Sequence, residues 1–187
     1  MTDYTIRLVT PDDADAYVRT HTQALIETYS PIMPPEYRAG RLAEIPEYTD
    51  RRTEAFKQMT DDLAAGREPS RRYWVAQDAA GDVVGVAASG VGVPPWEHLL
   101  HIPEPPINVQ LDHIYTLAST HGTGLGQHLL DTSLPNGRGA YLWILNGNPR
   151  ARAFYERNGF VPDGFKTTCG PAWFERPMFR MWRPDPA

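Results

Sequence analysis

The sequence predicts a single-domain α/β fold over residues 1–187, built on a mixed central sheet. Three observations lead there. Leu111 to Leu130, LDHIYTLASTHGTGLGQHLL, passes from a short apolar run through alternating glycines into an apolar-periodic helix. A second apolar run, Ala140 to Leu145, precedes Asn148-Pro149 and a helix that stops at Asn158-Gly159. Upstream of both, Arg72–Gln77 and Asp82–Ser89 read as a hairpin around Asp78-Ala79-Ala80-Gly81. Strand–turn–helix units that alternate in this way build a sheet covered by helices.

Tyr4 to Val9 alternates apolar and polar residues, as a first strand does. Thr10-Pro11-Asp12-Asp13 is a helix start, with Thr at the N-cap, Pro at the first helical position and acids in the first turn. That helix runs to about Thr28, with Ala14, Tyr17, Val18, His21, Ala24 and Leu25 near one face. Pro31, Pro34 and Pro35 then enforce a loop, because proline loses a helical hydrogen bond and clashes with the preceding turn. A second helix spans Tyr48 to Ala65, its apolar stripe carried by Phe56, Met59 and Leu63, with Gly66 as its stop. Gly85, inside the hairpin, marks a bulge or a close approach. Phe160–Thr168 and Arg176–Trp182 close the sheet as an antiparallel pair.

Val91 to Pro106, VGVPPWEHLLHIPEPP, is an unusually long proline-rich connection. Trp96, Glu97, His98 and His101 make it a candidate wall of a binding pocket. It reads equally well as a tethered surface loop whose Trp96 packs onto the core.

The length allows a sizeable core, and the formal net charge of −5 with no basic block argues against a nucleic-acid partner. Cys169 is the one cysteine in the sequence, which excludes an intrachain disulfide and any multi-cysteine metal site. Six histidines are irregularly spaced, with no H-E-x-x-H pattern, so no metal is expected. No apolar run approaches the length of a membrane span, and MTDYTIRLVT lacks a secretion signal. The expectation is a cytoplasmic protein without a membrane partner.

The glycine turn is the chemically pointed feature. Backbone N–H groups at the start of a helix have no intrahelical acceptor, and they suit an anionic phosphate. A P-loop would need Lys-Ser/Thr after the last glycine, where Gln127 and His128 stand. A dinucleotide fingerprint would need glycine at position 127. The remaining pattern, Q/R-x-x-G-x-G/A, is that of the pyrophosphate loop of acetyl-CoA-dependent N-acetyltransferases. The chain here resembles the GNAT superfamily, although His121 stands where the family usually has Gln or Arg. Ala140 to Gly164 resembles the second half of the same core: a strand, an Asn, a helix with a Phe-Tyr pair, then Gly-Phe.

That resemblance implies a central sheet with two splayed parallel strands, flanked by helices on both faces, with acetyl-CoA in the gap. The backbone of Ile114, Tyr115, Thr116 and Leu117 would pair with the pantetheine amides. The turn His121, Gly122, Thr123, Gly124, Leu125 and Gly126 would hold the pyrophosphate, Thr123 adding a hydroxyl and Leu125 an apolar anchor. Asn148 matches a cofactor-contacting position, and helix capping accounts for it as well. Arg150 and Arg152 are either phosphate ligands or solvated.

Tyr155 matches the family tyrosine that faces the thioester sulfur. A phenol stays protonated at neutral pH and can donate to the departing thiolate. The alternative is a core tyrosine beside Phe154. An ammonium acceptor must lose a proton before it attacks, and Asp112 is the first candidate base. Its alternative is a buried structural acid. Glu27, Glu97, His21 and Tyr29 are weaker candidates.

The implied activity is acetyl transfer from acetyl-CoA to a primary amine, either a small molecule or a peptide N-terminus. The alternatives are an acyl-CoA sensor without turnover and a transferase for another acyl donor. Members of the family are often dimers, and nothing in this sequence fixes an interface.

Overall fold

A computed structural model describes residues 3–186; Met1 and Thr2, the first residues of the stretch read for a secretion signal, lie outside it. Seven strands form one sheet in the order β1-β2-β3-β4-β5-β7-β6. They are β1 (Thr5–Leu8), β2 (Arg71–Gln77), β3 (Val83–Val91), β4 (Val109–Thr116), β5 (Ala140–Leu145), β6 (Val161–Thr168) and β7 (Pro177–Arg183). The α-helices are α1 (Ala14–Tyr29), α2 (Glu36–Ala43), α3 (Ile45–Ala64), α4 (Pro95–Leu99), α5 (Leu125–Ser133) and α6 (Pro149–Arg157). The chain falls into two compact units, and β4 contributes its C-terminal half to the first and its N-terminal half to the second.

The first unit comprises the chain up to Ser89 together with His113–Ser133. β1 and β2 pair antiparallel in the register Thr5↔Gln77 to Leu8↔Trp74. Successive strand side chains point to opposite faces, so the unit has two cores. One joins Val9, Ala14, Tyr17, Phe56, Met59, Tyr73, Val75, Val86 and Ala88 beneath α1 and α3. The other joins Trp74, Ala76, Val84, Ala87, Leu125 and Leu129 beneath α5. Val84 faces α5, whereas Val86 and Ala88 face α1 and α3. A strict two-residue period would put all three on one side, so β3 changes phase at Gly85. A Cβ at Gly85 would stand 3.1 Å from Leu129 Cδ1 and 3.3 Å from both Leu125 Cδ2 and Thr116 Cγ2. Bulge and close approach therefore coincide at this residue.

α1 begins behind a one-turn 3-10 helix at Pro11–Asp13, where Asp13 and Thr10 form the capping box. α2 has no counterpart among the expected elements. It follows Pro35 and buries Tyr37 and Arg41 on an otherwise polar surface, so its apolar signal is a single side chain. α3 starts at Ile45, three residues before the expected Tyr48, because Pro46 occupies a first-turn position where it is tolerated.

The second unit comprises Gly90–Asp112 and the chain from Leu134 onward. β4 and β5 run parallel with Gln110 opposite Tyr141. β5 and β7 pair antiparallel from Ala140↔Arg183 to Leu145↔Met178. β6 pairs with β7 through an irregularity between Pro162 and Lys166, where Gly164 takes a φ of +89°. The proline-rich connection contains the short α4, not a structureless loop.

Candidate active site

In the first unit, β4 delivers the chain to the glycine turn. Leu117 donates its amide to Val84 O at 2.9 Å, and its carbonyl accepts from the Thr120 amide and hydroxyl. Both backbone groups of Leu117 are thereby engaged within the chain. Ile114 packs into the α5 core, while Tyr115 packs against the core of α1 and α3. The strand thus alternates its faces as expected.

The turn itself is tighter than expected. The amides of His121 and Thr123 donate to Ala118 O and Thr120 O, and Thr123 Oγ1 donates to Thr120 O at 2.7 Å. Both amides and the Thr123 hydroxyl thus donate within the turn. Gly122 and Gly124 have φ of +81° and +91°, a region that L side chains rarely enter. α5 starts at Leu125, two residues before the expected Gln127, so Leu125 and Gly126 form its first turn. Gln127 and His128 both donate to Gly124 O, which closes that turn. The amides of Gly124, Leu125 and Gly126 precede any intrahelical acceptor. Leu125 is fully buried and pins the turn to the core, the anchoring role expected of it.

The other face of β4 carries a cluster of rings. His21 and His113 stack with centroids 4.6 Å apart, and Tyr115 lies 5.0 Å from His21. Tyr17 Oη stands 2.6 Å from His113 Nε2 and 3.3 Å from Ala87 O. The Tyr29 and Tyr115 hydroxyls meet at 3.3 Å. Burial, reinforced by the charges of Arg52 and Arg41, pushes the His21 imidazolium down to about 3. Burial also lowers His113 well below the ordinary histidine range, with His21, Arg52 and Arg71 adding to it. Both rings are therefore neutral at pH 7. Glu27, a weaker base candidate, accepts from the Ala118 amide at 2.8 Å and so braces the end of β4.

In the second unit, Asn148 caps α6, its Oδ1 accepting from the Ala151 amide at 3.0 Å. Tyr155 is buried, its ring edge-on to Phe154 at 5.1 Å and to Phe160 at 5.5 Å. Arg150 is exposed, and Arg152 pairs with Glu156 at 2.8 Å on the surface. Asp112 is half-buried at the end of this unit's share of β4. Glu97 is fully buried: Oε1 accepts from Trp143 Nε1 at 2.9 Å, Tyr141 Oη at 3.0 Å and Gln110 Nε2 at 3.4 Å. Arg180, paired with Asp163 and donating to Pro103 O, lies 3.9 Å from Glu97 Oε2. Burial raises the Glu97 carboxyl above its ordinary range, against the pull of these donors. The acid thus ties α4 to the sheet, and Trp96 rests on Trp143 at 5.5 Å while staying partly exposed.

Among the described residues, no group of three or more His, Cys, Asp or Glu could hold a metal ion. Nor is any described helix long and apolar enough to cross a membrane.

A family model described as an acetyltransferase (GNAT) domain matches residues 69–162, just over half of the chain. The protein belongs to the GNAT family. The matched span holds the β2–β3 hairpin, β4, the glycine turn, α5, β5 and α6. Solved GNAT-like structures agree in fold. The PaiA N-acetyltransferase of Thermoplasma acidophilum, solved in complex with coenzyme A, is 16% identical, with a TM-score of 0.66 over 97% of this chain and 99% of that one. A protein of Corynebacterium glutamicum described as histone acetyltransferase HPA2 and related acetyltransferase is 23% identical, with a TM-score of 0.62 over 100% and 98%. PH1933 from Pyrococcus horikoshii is 17% identical, with a TM-score of 0.63 over 99% and 100%. No curated protein sequence matches the chain.

Proposed function

We propose that this GNAT protein acts as a single catalytic domain that transfers acetyl from acetyl-CoA to a primary amine. The observation that carries the reading is the strand–turn–helix unit ending in α5. Two glycines in left-handed geometry and a buried leucine present the amides of Gly124, Leu125 and Gly126 at the helix start. Such amides, aided by the helix dipole, suit a pyrophosphate. The backbone of Ile114 to Thr116 is the proposed partner of the pantetheine amides, and Asn148 a further contact to the cofactor.

The chemistry assigned to the chain is direct attack. The ammonium first loses a proton to a base, for which Asp112 is proposed. The amine nitrogen adds to the thioester carbonyl, and the tetrahedral intermediate collapses as the second nitrogen proton leaves to solvent. The C–S bond breaks, and Tyr155 gives the thiolate a proton and is reprotonated from solvent. An unperturbed phenol, with a pKa of about 10, holds that proton at neutral pH. The family match supports the reaction class, and a relative solved with coenzyme A supports the donor. The acceptor is proposed as a small amine or a peptide N-terminus, met in the cytoplasm.

Two measurements on the full chain test this. Calorimetry with coenzyme A is expected to show one site per chain; no heat of binding would overturn the reading. Thiol release from acetyl-CoA against a panel of primary amines is expected to show turnover. Binding without any release would favour a sensor, and release only with propionyl- or succinyl-CoA would change the donor.

A further inference from the structure

We infer that Arg52 and the imidazoles of His21 and His113 form a subsite in the first unit for a carboxylate of the acceptor. The amine acetylated is then one that carries its own carboxylate, as a free amino acid does. This deepens the transferase reading above and rests on it.

The hydrogen-bond donors come first. Tyr17 Oη stands 2.6 Å from His113 Nε2 and 3.3 Å from Ala87 O. Its single proton goes to the nearer acceptor, the lone pair of a neutral imidazole. Nε2 therefore accepts, and the ring proton of His113 sits on Nδ1. Among the described residues, nothing is hydrogen-bonded to that Nδ1–H or to either nitrogen of His21. The two rings stack at 4.6 Å and are half-buried, so the core does not seal them in.

The charge around these donors has one sign. Arg52 reaches from α3 over the rings of Tyr17 and Tyr73, 5.8 and 5.2 Å from their centroids. It is half-buried, and among the described residues its guanidinium has no ion pair and no hydrogen bond. Aromatic rings occupy the face of a guanidinium and leave its N–H edges for a ligand. Arg41 of α2 differs, since Glu44 holds it at 2.8 Å. The charged groups that act on His21 are Arg52 and Arg41, and those that act on His113 are Arg52 and Arg71. No carboxylate of the described residues acts on either ring. A partly desolvated guanidinium without a counter-ion, beside N–H donors without acceptors, favours an anion. The guanidinium fork matches a carboxylate, whereas a polyamine would bring more positive charge to a positive site.

The position along β4 ties this anion to the acceptor. The amides proposed for the pyrophosphate follow the C-terminal end of β4. An arm running back along Thr116, Tyr115 and Ile114 carries its acyl end towards His113. Tyr115 packs on the side of α1 and α3, where His21 and Arg52 also stand, and Ile114 on the side of α5.

The test is thiol release from acetyl-CoA by the full chain with free amino acids, their carboxamides, polyamines and peptides. A carboxamide keeps the amine and the side chain and removes the negative charge. The wild type is expected to favour at least one amino acid over its carboxamide by about 10–100-fold in kcat/KM, as hydrogen bonds to a charged group do. Arg52→Gln is expected to abolish that preference, chiefly through KM. Arg52→Lys, which keeps the charge without the fork, is expected to restore part of it. Calorimetry with coenzyme A is expected to give the same affinity in both variants and so reports that the fold is kept. A preference that survives in Arg52→Gln, or a wild type that favours carboxamides, polyamines or peptides, would overturn the inference and leave the transferase reading standing. Nitrogen NMR of the wild-type imidazoles gives a readout besides turnover. N-acetylated amino acids are expected to move the His21 and His113 signals and to raise both imidazolium pKa values, because an anion favours the charged ring. Equal changes with the N-acetylated carboxamides, or no change with either, would overturn the subsite. A wild type that binds coenzyme A yet releases no thiol with any amine would overturn the transferase reading, and the titration would then decide the anion site alone.

Discussion

Two glycine-to-alanine substitutions separate packing from propensity. At Gly85 the new methyl would meet Leu129 Cδ1 at 3.1 Å, Leu125 Cδ2 at 3.3 Å and Thr116 Cγ2 at 3.3 Å. Carbon pairs rest at about 3.5–4.0 Å, so three side-chain ends must each retreat by a few tenths of an ångström. Overpacking of that kind costs about 1–3 kcal/mol. Restricting the unfolded chain returns about 0.4–1 kcal/mol. The expected net effect of Gly85→Ala is a destabilisation of about 1 kcal/mol, read as a lower midpoint in urea. Leu125 and Leu129 both belong to α5, so the same displacement disturbs the amides proposed for the pyrophosphate. A binding loss of about 1 kcal/mol would appear in calorimetry as roughly a fivefold weaker Kd for coenzyme A. Gly40 is the control. It lies inside α2, and a Cβ there would meet nothing within 4 Å, so Gly40→Ala is expected to stabilise by about 0.5–1 kcal/mol and to leave coenzyme A binding alone. A Gly85→Ala protein as stable as Gly40→Ala, with unchanged affinity, would refute the packing argument.

Tyr155→Phe keeps the ring between Phe154 and Phe160, so the fold is expected to survive while turnover falls by about 10²–10⁴-fold; equal turnover would remove Tyr155 from the mechanism. Asn148→Ala removes the cap of α6 and is expected to cost about 1 kcal/mol in denaturant unfolding. Asp13 accepts two hydrogen bonds from Arg7 and two from Thr10, which bring its carboxyl from 3.8 to about 2. Its stabilisation is present above pH 3.8 and is lost as pH falls towards 2. The shift corresponds to about 2.5 kcal/mol, and screening around the 37% exposed Arg7 reduces it to about 1 kcal/mol. Asp13→Asn should therefore cost that much at pH 7 and little at pH 2, measured by chemical unfolding. Glu97 has the opposite sign: a raised carboxyl is easier to keep protonated in the fold, so its contribution is present below the unfolded value of 4.5 and declines as pH rises through the folded one. Urea midpoints of the wild type and Glu97→Gln should diverge across that window; parallel curves would count against a buried, reluctant carboxylate.

The elements that can be read from the sequence are those whose signals are local. Asn148-Pro149 announces a capped helix, and the alanine-to-leucine run at 140–145 coincides with β5, because cap and strand patterning act within a few residues. α5 begins earlier than its apolar periodicity suggests because Gly124 takes the left-handed turn and Leu125 dives into the core at once. α2 is hidden because one buried tyrosine on a charged octapeptide carries no periodicity. The turn's geometry is half legible. Glycines at 122 and 124 mark the turn, but only its three-dimensional form shows that the His121 and Thr123 amides donate within it.

The interior polar contacts are the least legible part, for a reason that sequence spacing cannot remedy. Tyr17 and His113 are 96 positions apart, and Glu97 and Tyr141 are 44 apart. Neither pair leaves a local pattern, since α1 meets β4, and α4 meets β5, only through the order of strands in the sheet. In the sequence Asp112 stands out as a carboxylate, and His113 beside it carries no signal of its contact with Tyr17. What distinguishes His113 is the tyrosine delivered to its Nε2 by a helix far away in the sequence. Which side chains meet in the interior is a property of contacts, not of spacing.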